Sequence, residues 1–199
     1  MRKKLPASFY LHHDVVELSK SLIGKVLVTN FNNRLTSGII VETEAYNGAI
    51  DKASHAFNNR RTPRNEMMFA KGGMAYVYIC YGVHHLFNVV TNKKEVPHAI
   101  LIRALEPLEG VDIMVQRRNF STVNYVLTKG PGALAVAMGI NKQHSGIDLL
   151  GNEIFIEDRG IIIPDIKTSP RIGVKSAGKD ALLNYRFYQK NSKWVSGKK

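Results

Sequence analysis

The stretch Gly38-Ile39-Ile40-Val41-Glu42-Thr43-Glu44-Ala45-Tyr46 decides how this chain is read. Its isoleucine and valine content predicts an extended strand, and the two-residue period of a strand places Ile40, Glu42, Glu44 and Tyr46 on one face, with Ile39, Val41, Thr43 and Ala45 on the other. Two carboxylates and a phenol then share a surface, with successive neighbours about 7 Å apart. At that spacing one carboxylate can act as a base beside an aromatic wall while the second is structural or solvated. An ordinary solvent-facing strand offers the same pattern, so the strand alone does not choose between the two.

Working outward, Asp14 followed by Val15, Leu18 and Leu22, with Glu17 three residues on and Gly24 closing the run, predicts a capped amphipathic helix of about ten residues. Val26 to Thr29 predicts a strand, and the turn formers from Asn30 to Arg34 pair it with the decisive segment. The polar stretch from Asn47 to Asn65 has no regular period, and connections of this length are commonly functional. Met74 to Tyr81 and His85 to Thr91 predict a hairpin linked around Gly82-Val83-His84, with Tyr81 at its tip. Parity puts Tyr76, Tyr78 and Cys80 on one side and Val77, Ile79 and Tyr81 on the other, which separates the roles of Tyr78 and Tyr81. One aromatic can line a pocket while the other enters a base stack. Ile100 to Leu105 predicts a strand ended by Pro107, Glu109 to Arg118 a helix, and Gly130-Pro131-Gly132 the start of a helix over Ala133 to Met138. Further strands are expected at Glu153 to Glu157 and Leu183 to Tyr188. The class is α+β, and residues 1–199 are read as a single domain.

Of the 199 residues, 28 are lysine or arginine and 16 aspartate or glutamate, a net charge of +12 that makes polyanions the leading partner class. The excess is uneven: residues 1–36 carry net +4, residues 37–115 none and residues 116–199 net +8. A neutral centre that does chemistry between flanks that grip phosphate fits this distribution, as do lysines that merely keep the last third in solution. Lys129 followed by Gly130-Pro131-Gly132 would present backbone N–H groups and a cation to an anion at a helix start, or make a plain turn. The single cysteine, Cys80, excludes an internal disulfide, a cysteine-rich zinc module and a four-thiolate cluster, and reads as cytosolic. Neither His12-His13 nor His84-His85 has a carboxylate at ligand spacing, so no metal is expected. Phosphate-loop and dinucleotide glycine patterns are absent, and no cofactor is expected. Met1 to Pro6 is basic but leads into no apolar core of a signal peptide, so export is not expected. Met74 to Val83, the longest nearly apolar run, is far short of the ~20 residues a membrane span needs.

Four segments in order, Val41-Glu42-Thr43-Glu44-Ala45-Tyr46, Arg61-Thr62-Pro63-Arg64-Asn65, Tyr76-Val77-Tyr78-Ile79-Cys80-Tyr81-Gly82 and Leu101 to Gly110, resemble the alkyladenine (3-methyladenine) DNA glycosylase family in its short bacterial form. Leu127 to Asn141 and Tyr185 to Ser196 extend the likeness over nearly the whole chain. The resemblance implies a mostly antiparallel curved sheet with flanking helices and a protruding hairpin. It also implies a cytoplasmic or nucleoid-associated monomer that flips alkylated or deaminated purines out of duplex DNA and hydrolyses the N-glycosidic bond, leaving an abasic site. By position Glu44 matches the general base and Arg103 the arginine that holds the water and the carboxylate. Tyr46, His55 and Tyr78 match the walls around the everted base, and Asn88 the asparagine that crowds a guanine 2-amino group. Tyr81 matches the intercalating tyrosine, and Arg60, Arg61, Arg64, Lys129, Gly130 and Gly132 are expected at the DNA backbone. No lysine accompanies Glu44, so a monofunctional enzyme is implied. Val83 and His84 depart from the side chains that support the intercalating residue in relatives. A noncatalytic nucleic-acid-binding protein and a hydrolase of RNA or free nucleosides are the competing classes.

Overall fold

Hydrophobic periodicity and turn residues lay out the chain in the computed structural model, which describes residues 3–197; Met1, Arg2, Lys198 and Lys199, counted in the terminal charge above, lie outside the described residues. The strands are β1 (Lys3–Lys4), β2 (Val26–Phe31), β3 (Arg34–Tyr46), β4 (Ala75–Cys80), β5 (His84–Thr91), β6 (His98–Glu109), β7 (Ile154–Asp158), β8 (Ile166–Ser169) and β9 (Arg186–Gln189). The helices are α1 (Ala7–Tyr10), α2 (Val15–Ser21), α3 (Val111–Arg117) and α4 (Pro131–Met138). Among the described residues the nine strands form one open sheet in the order β1-β7-β2-β3-β6-β5-β4, with β9 beside the second half of β3 and β8 outside it. Every strand pair is antiparallel. The class is α+β, and no helix of the described residues is long and apolar enough to cross a membrane.

Asp14 caps α2 as expected, its carboxylate accepting from the N–H groups of Val16 at 2.8 Å and Glu17 at 3.0 Å. The helix is shorter than expected, ending at Ser21 before a turn that closes at Gly24, φ +87°. The hairpin loop is Tyr81-Gly82-Val83, one residue earlier than the sequence suggested, because His84 already pairs with Cys80. Tyr81 and Gly82 both have positive φ, +51° and +75°, the signature of the tight turn that matches strand twist. Pro107 does not end its strand: β6 continues to Glu109, with Pro107 opposite Gly38 at a register irregularity, where a missing N–H is tolerated.

The pairing of β3 with β6 corrects the parity of the decisive segment. Ile40 pairs with Leu105 and Glu42 with Ala104, so Val41 is an extra residue in β3; Glu42 then pairs with Ala104 and Thr43 with Ile102, so Arg103 is an extra residue in β6. These two facing bulges cancel in register but reset which side each residue faces. Ile40 therefore packs into the main core with Ala45, Phe87, Ile100, Ile102 and Leu105, not beside Glu42. Val41 joins Ala104 and Val195 on the opposite side. α2, α3 and α4 cover the main-core face; the other face keeps Glu42, Glu44, Tyr46 and Arg103 together between two smaller apolar clusters.

Candidate active site

The bulges bring two buried carboxylates together with two largely buried arginines. Glu42 is fully buried and accepts four hydrogen bonds: from Arg103 Nε at 3.1 Å, Arg186 Nε at 2.7 Å, the Ser196 N–H at 2.7 Å and the Ser196 hydroxyl at 3.0 Å. Of the two roles open to a carboxylate on this strand, Glu42 fits the structural one: it is the shared counter-ion of two buried arginines and ties Arg186 and Ser196 to the sheet, and unlike Glu44 none of its bonds comes from the Tyr46 hydroxyl or the Ile172 N–H. Arg186 also donates to the Ser196 carbonyl at 2.7 Å and to the Ser169 hydroxyl at 3.0 Å.

Glu44 is equally buried but differently held. Its Oε2 accepts from the Tyr46 hydroxyl at 2.9 Å and from Arg103 Nη1 at 3.2 Å, and its Oε1 from the Ile172 N–H at 2.7 Å. Among the described residues Oε1 thus has one donor where Oε2 has two, which leaves Oε1 the oxygen with capacity for a water. Burial, then the neighbouring Glu44 charge, holds the Tyr46 phenol well above its usual range, so it stays a donor. Tyr46, Arg103 and Ile172, the three groups that hold Glu44, all line one cavity of about 830 Å³. Glu44 therefore sits directly behind the cavity wall.

One side of that cavity is aromatic. Tyr76, Tyr78 and Cys80 line it while Val77 lies in the core, as the strand parity required. The His55 ring meets Tyr78 edge-on at 4.6 Å between centroids, and its Nδ1 is 2.9 Å from the Tyr76 hydroxyl. Burial, helped by the Arg64 cation, lowers the His55 pKa to about 4, so the imidazole is neutral near pH 7. Asn88, 3% exposed, donates through Nδ2 to the carbonyls of Tyr76 at 3.1 Å and Leu86 at 3.2 Å, which commits the amide nitrogen and leaves the carbonyl oxygen to offer the cavity. Leu101 and Ala99 supply apolar wall between them.

The rim carries the remaining expected residues. Tyr81 stands at the hairpin tip with 89% of its surface exposed. Gly130 and Gly132, around the start of α4, face the cavity, and Gly132 lies close under the His84 ring, 3.0 Å from where a Cβ would stand. His84 thereby packs the base of the hairpin against α4. Arg60 and Arg64 line the cavity; Arg64 lies over the Tyr78 ring at 5.3 Å and donates to the Ile79 carbonyl at 3.2 Å. Arg61 instead turns to Glu66 and Glu95, at 2.5 and 2.6 Å, and its charge is balanced there. Lys129 reaches the Lys193 carbonyl at 3.4 Å.

Three buried charged residues of this region, Asp51, Arg171 and Arg186, were not singled out from the sequence. Arg171 and Arg186 come from the last third of the chain, whose positive charge reads as solvated surface, although Arg171 is only 5% and Arg186 only 3% exposed. Asp51 sits in the polar stretch after β3, with nothing local to mark it as buried. Among the described residues, no group of three or more histidine, cysteine, aspartate or glutamate side chains is placed to hold a metal ion.

Comparison with known proteins converges on one group. The family model described as Methylpurine-DNA glycosylase matches residues 8–193. A protein of Chlamydia felis (strain Fe/C-56) is 47% identical over 184 residues, covering 92% of this chain and 94% of its own. Proteins of Clostridium perfringens (strain 13 / Type A) and Alkaliphilus oremlandii (strain OhILAs) are each 42% identical, over 207 and 202 residues, covering 98% of this chain and 100% of their own. All three bear the name "Putative 3-methyladenine DNA glycosylase".

Proposed function

The chain belongs to the methylpurine-DNA glycosylase family, and on that footing we propose that it excises 3-methyladenine and related alkylated or deaminated purines from duplex DNA as a monofunctional hydrolase of N-glycosyl bonds. One observation supports the catalytic reading above the others: a buried carboxylate, Glu44, held by Tyr46, Arg103 and the Ile172 N–H, all three of which line the aromatic cavity.

In this reading the lesion rotates out of the helix into the cavity, against Tyr46, Tyr78 and His55, while Tyr81 fills the gap in the base stack. Glu44 Oε1 takes a proton from a water, the water oxygen bonds to the sugar C1′, and the C1′–N bond breaks with its electron pair going to the purine. The products are the free base and an abasic sugar. A purine alkylated at N3 or N7 is cationic and leaves as a neutral molecule, so the site needs a base more than an acid. Arg103 orients the Glu44 carboxylate through its contact with Oε2 at 3.2 Å. Asn88 stands beside the base as the filter against guanine, and Arg60, Arg64, Lys129 and the N–H groups near Gly130 and Gly132 meet phosphates. The enzyme acts as a monomer on nucleoid DNA and uses no cofactor.

The test is incubation with duplexes containing 3-methyladenine, 7-methylguanine, hypoxanthine or ethenoadenine, followed by alkaline cleavage at abasic sites. Wild-type protein is expected to cleave and Glu44→Gln to be slower by about two to four orders of magnitude with damaged-duplex binding retained. Equal rates would reject the base assignment. If about four phosphates are neutralised, log affinity falls against log salt with a slope near −3.6; a flat response together with activity on nucleosides would favour a nucleoside hydrolase.

A further inference from the structure

Arg171 does not line the cavity, yet Tyr46, whose ring its cation faces, and Ile172, the next residue along, both do. Its guanidinium fork grips Asp51 through both carboxylate oxygens, at 2.5 and 2.8 Å, and donates to the carbonyls of Ala45 at 2.9 Å and Asp180 at 3.2 Å. The cation lies 4.8 Å from the centroid of the Tyr46 ring and 5.3 Å from that of Tyr185. The acceptors of this fork come from two stretches more than 100 residues apart: the residue after Glu44 and the loop leading to His55 in one, and the segment following Arg171 itself in the other. Asp51 is only 2% exposed and is fixed in turn by the N–H groups of Asn47 at 3.0 Å and Ala53 at 2.9 Å. The next residue along from Arg171 is Ile172, whose N–H is the sole donor to Glu44 Oε1 among the described residues.

We propose that Arg171, locked by Asp51, is a positioning residue for the Glu44 base, acting through the Tyr46 ring on one side of the carboxylate and the Ile172 N–H on the other. The proposal rests on the reading of Glu44 as the base and adds to it the device that aims the base. Oε2 is filled by Tyr46 and Arg103, so the direction in which Oε1 presents its remaining lone pair is set by where the Ile172 N–H stands. That N–H sits on a segment joined to the loop after β3 by the Arg171–Asp51 pair. If the pair loosens, the N–H drifts, the carboxylate rotates and the lone pair no longer faces the water. A displacement of about 1 Å at a reacting group is enough to cost about a hundredfold in rate. The fork is held here even though its Nε is buried without a hydrogen-bond partner among the described residues, so its placement follows the ring, the carboxylate and the carbonyls, not the satisfaction of its own donors.

Two conservative changes test this. Arg171→Lys keeps the charge but replaces a planar fork serving several acceptors by a point charge, and Asp51→Asn keeps the shape but removes the ion pair. Each is measured for single-turnover excision at saturating duplex, for affinity to the damaged duplex and for melting temperature, with wild type and Glu44→Gln alongside. Expected is a fall of about 10- to 100-fold in the single-turnover rate of each variant at a temperature where both are folded, with affinity within about threefold of wild type. The double variant is expected to be no slower than the slower single one, because the two residues act as one unit. Single-turnover rates within about threefold of wild type in both folded variants would overturn the proposal, as would weakened affinity with the saturated rate unchanged. Should one variant fail to fold, the other decides. A wild-type protein that excises nothing, or a Glu44→Gln variant as fast as wild type, would count against the functional reading itself, a result distinct from fast Arg171→Lys and Asp51→Asn proteins beside a dead Glu44→Gln.

Discussion

Replacing Glu42 by glutamine should damage the fold more than replacing Glu44, although the two lie two residues apart and are both fully buried. Glu42 is the shared counter-ion of Arg103 and Arg186, which are 7% and 3% exposed, and it also accepts twice from Ser196. With Glu42, Glu44, Arg103 and Arg186 ionised, the cluster is neutral. Glu42→Gln leaves it one positive charge in excess in a largely buried place, and turns an amide N–H₂ toward groups that are themselves donors. Breaking a buried ion pair from one side costs about 3–5 kcal/mol, a large part of the roughly 5–15 kcal/mol that holds a domain folded. At about 2–4 °C per kcal/mol for a domain of this size, the melting temperature should drop by about 6–20 °C. Glu44→Gln leaves the same excess charge, but it falls on Arg103, which lines the cavity and keeps Glu42 as its counter-ion; the Tyr46 hydroxyl can turn to accept from the new amide and the Ile172 N–H can keep its acceptor, so the cost is nearer to that of hydrogen bonds to a charged group, about 1.5–3 kcal/mol. Thermal and urea unfolding of the two variants in parallel, with single-turnover excision on each, separates the roles: Glu42→Gln melts lower, Glu44→Gln loses the chemistry. A Glu42→Gln protein melting within about 2 °C of wild type, or a Glu44→Gln protein melting below it, would refute the assignment of Glu42 as the structural carboxylate.

Tyr81→Ala should leave the melting temperature unchanged, since the side chain is 89% exposed, and should weaken damaged-duplex binding by about 5- to 150-fold, the worth of one base–aromatic stack; equal affinity in a gel-shift titration would remove the wedge. His55 titrates in the folded protein at about 4, below its unfolded value of 6.5, so between those pH values the unfolded chain binds more protons and stability falls as the pH is lowered. His55→Gln should therefore flatten the decline of the urea midpoint from pH 6.5 to pH 4, and an unchanged slope would show that the ring is already protonated in the folded state.

Much of this site could be read from local pattern because its pieces are themselves local. Glu44 and Tyr46 are two apart on a strand, and Tyr78 and Tyr81 are separated by strand parity and a turn at Gly82. What periodicity could not reveal was the pair of bulges. Val41 looks like any β-branched strand residue and Arg103 like any polar one, and an inserted residue leaves no trace until the register with the partner strand is known. Yet the bulges do the positioning: they turn Ile40 into the core, bring Val41 and Glu42 to one side and swing Arg103 across to span both carboxylates. The arginines of the last third were unreadable for a different reason. A solvated arginine and a buried one have the same local sequence, and what buries Arg171 and Arg186 is a carboxylate more than 100 residues earlier in the chain. The charge imbalance that suggests phosphate binding is therefore partly internal: Arg103, Arg171 and Arg186 neutralise Glu42, Glu44 and Asp51, three cations against three anions, and leave the formal +12 to the other side chains, most of them exposed. The interior sets each buried carboxylate against a buried arginine, while the surplus charge is left outside, where an anionic duplex can meet it.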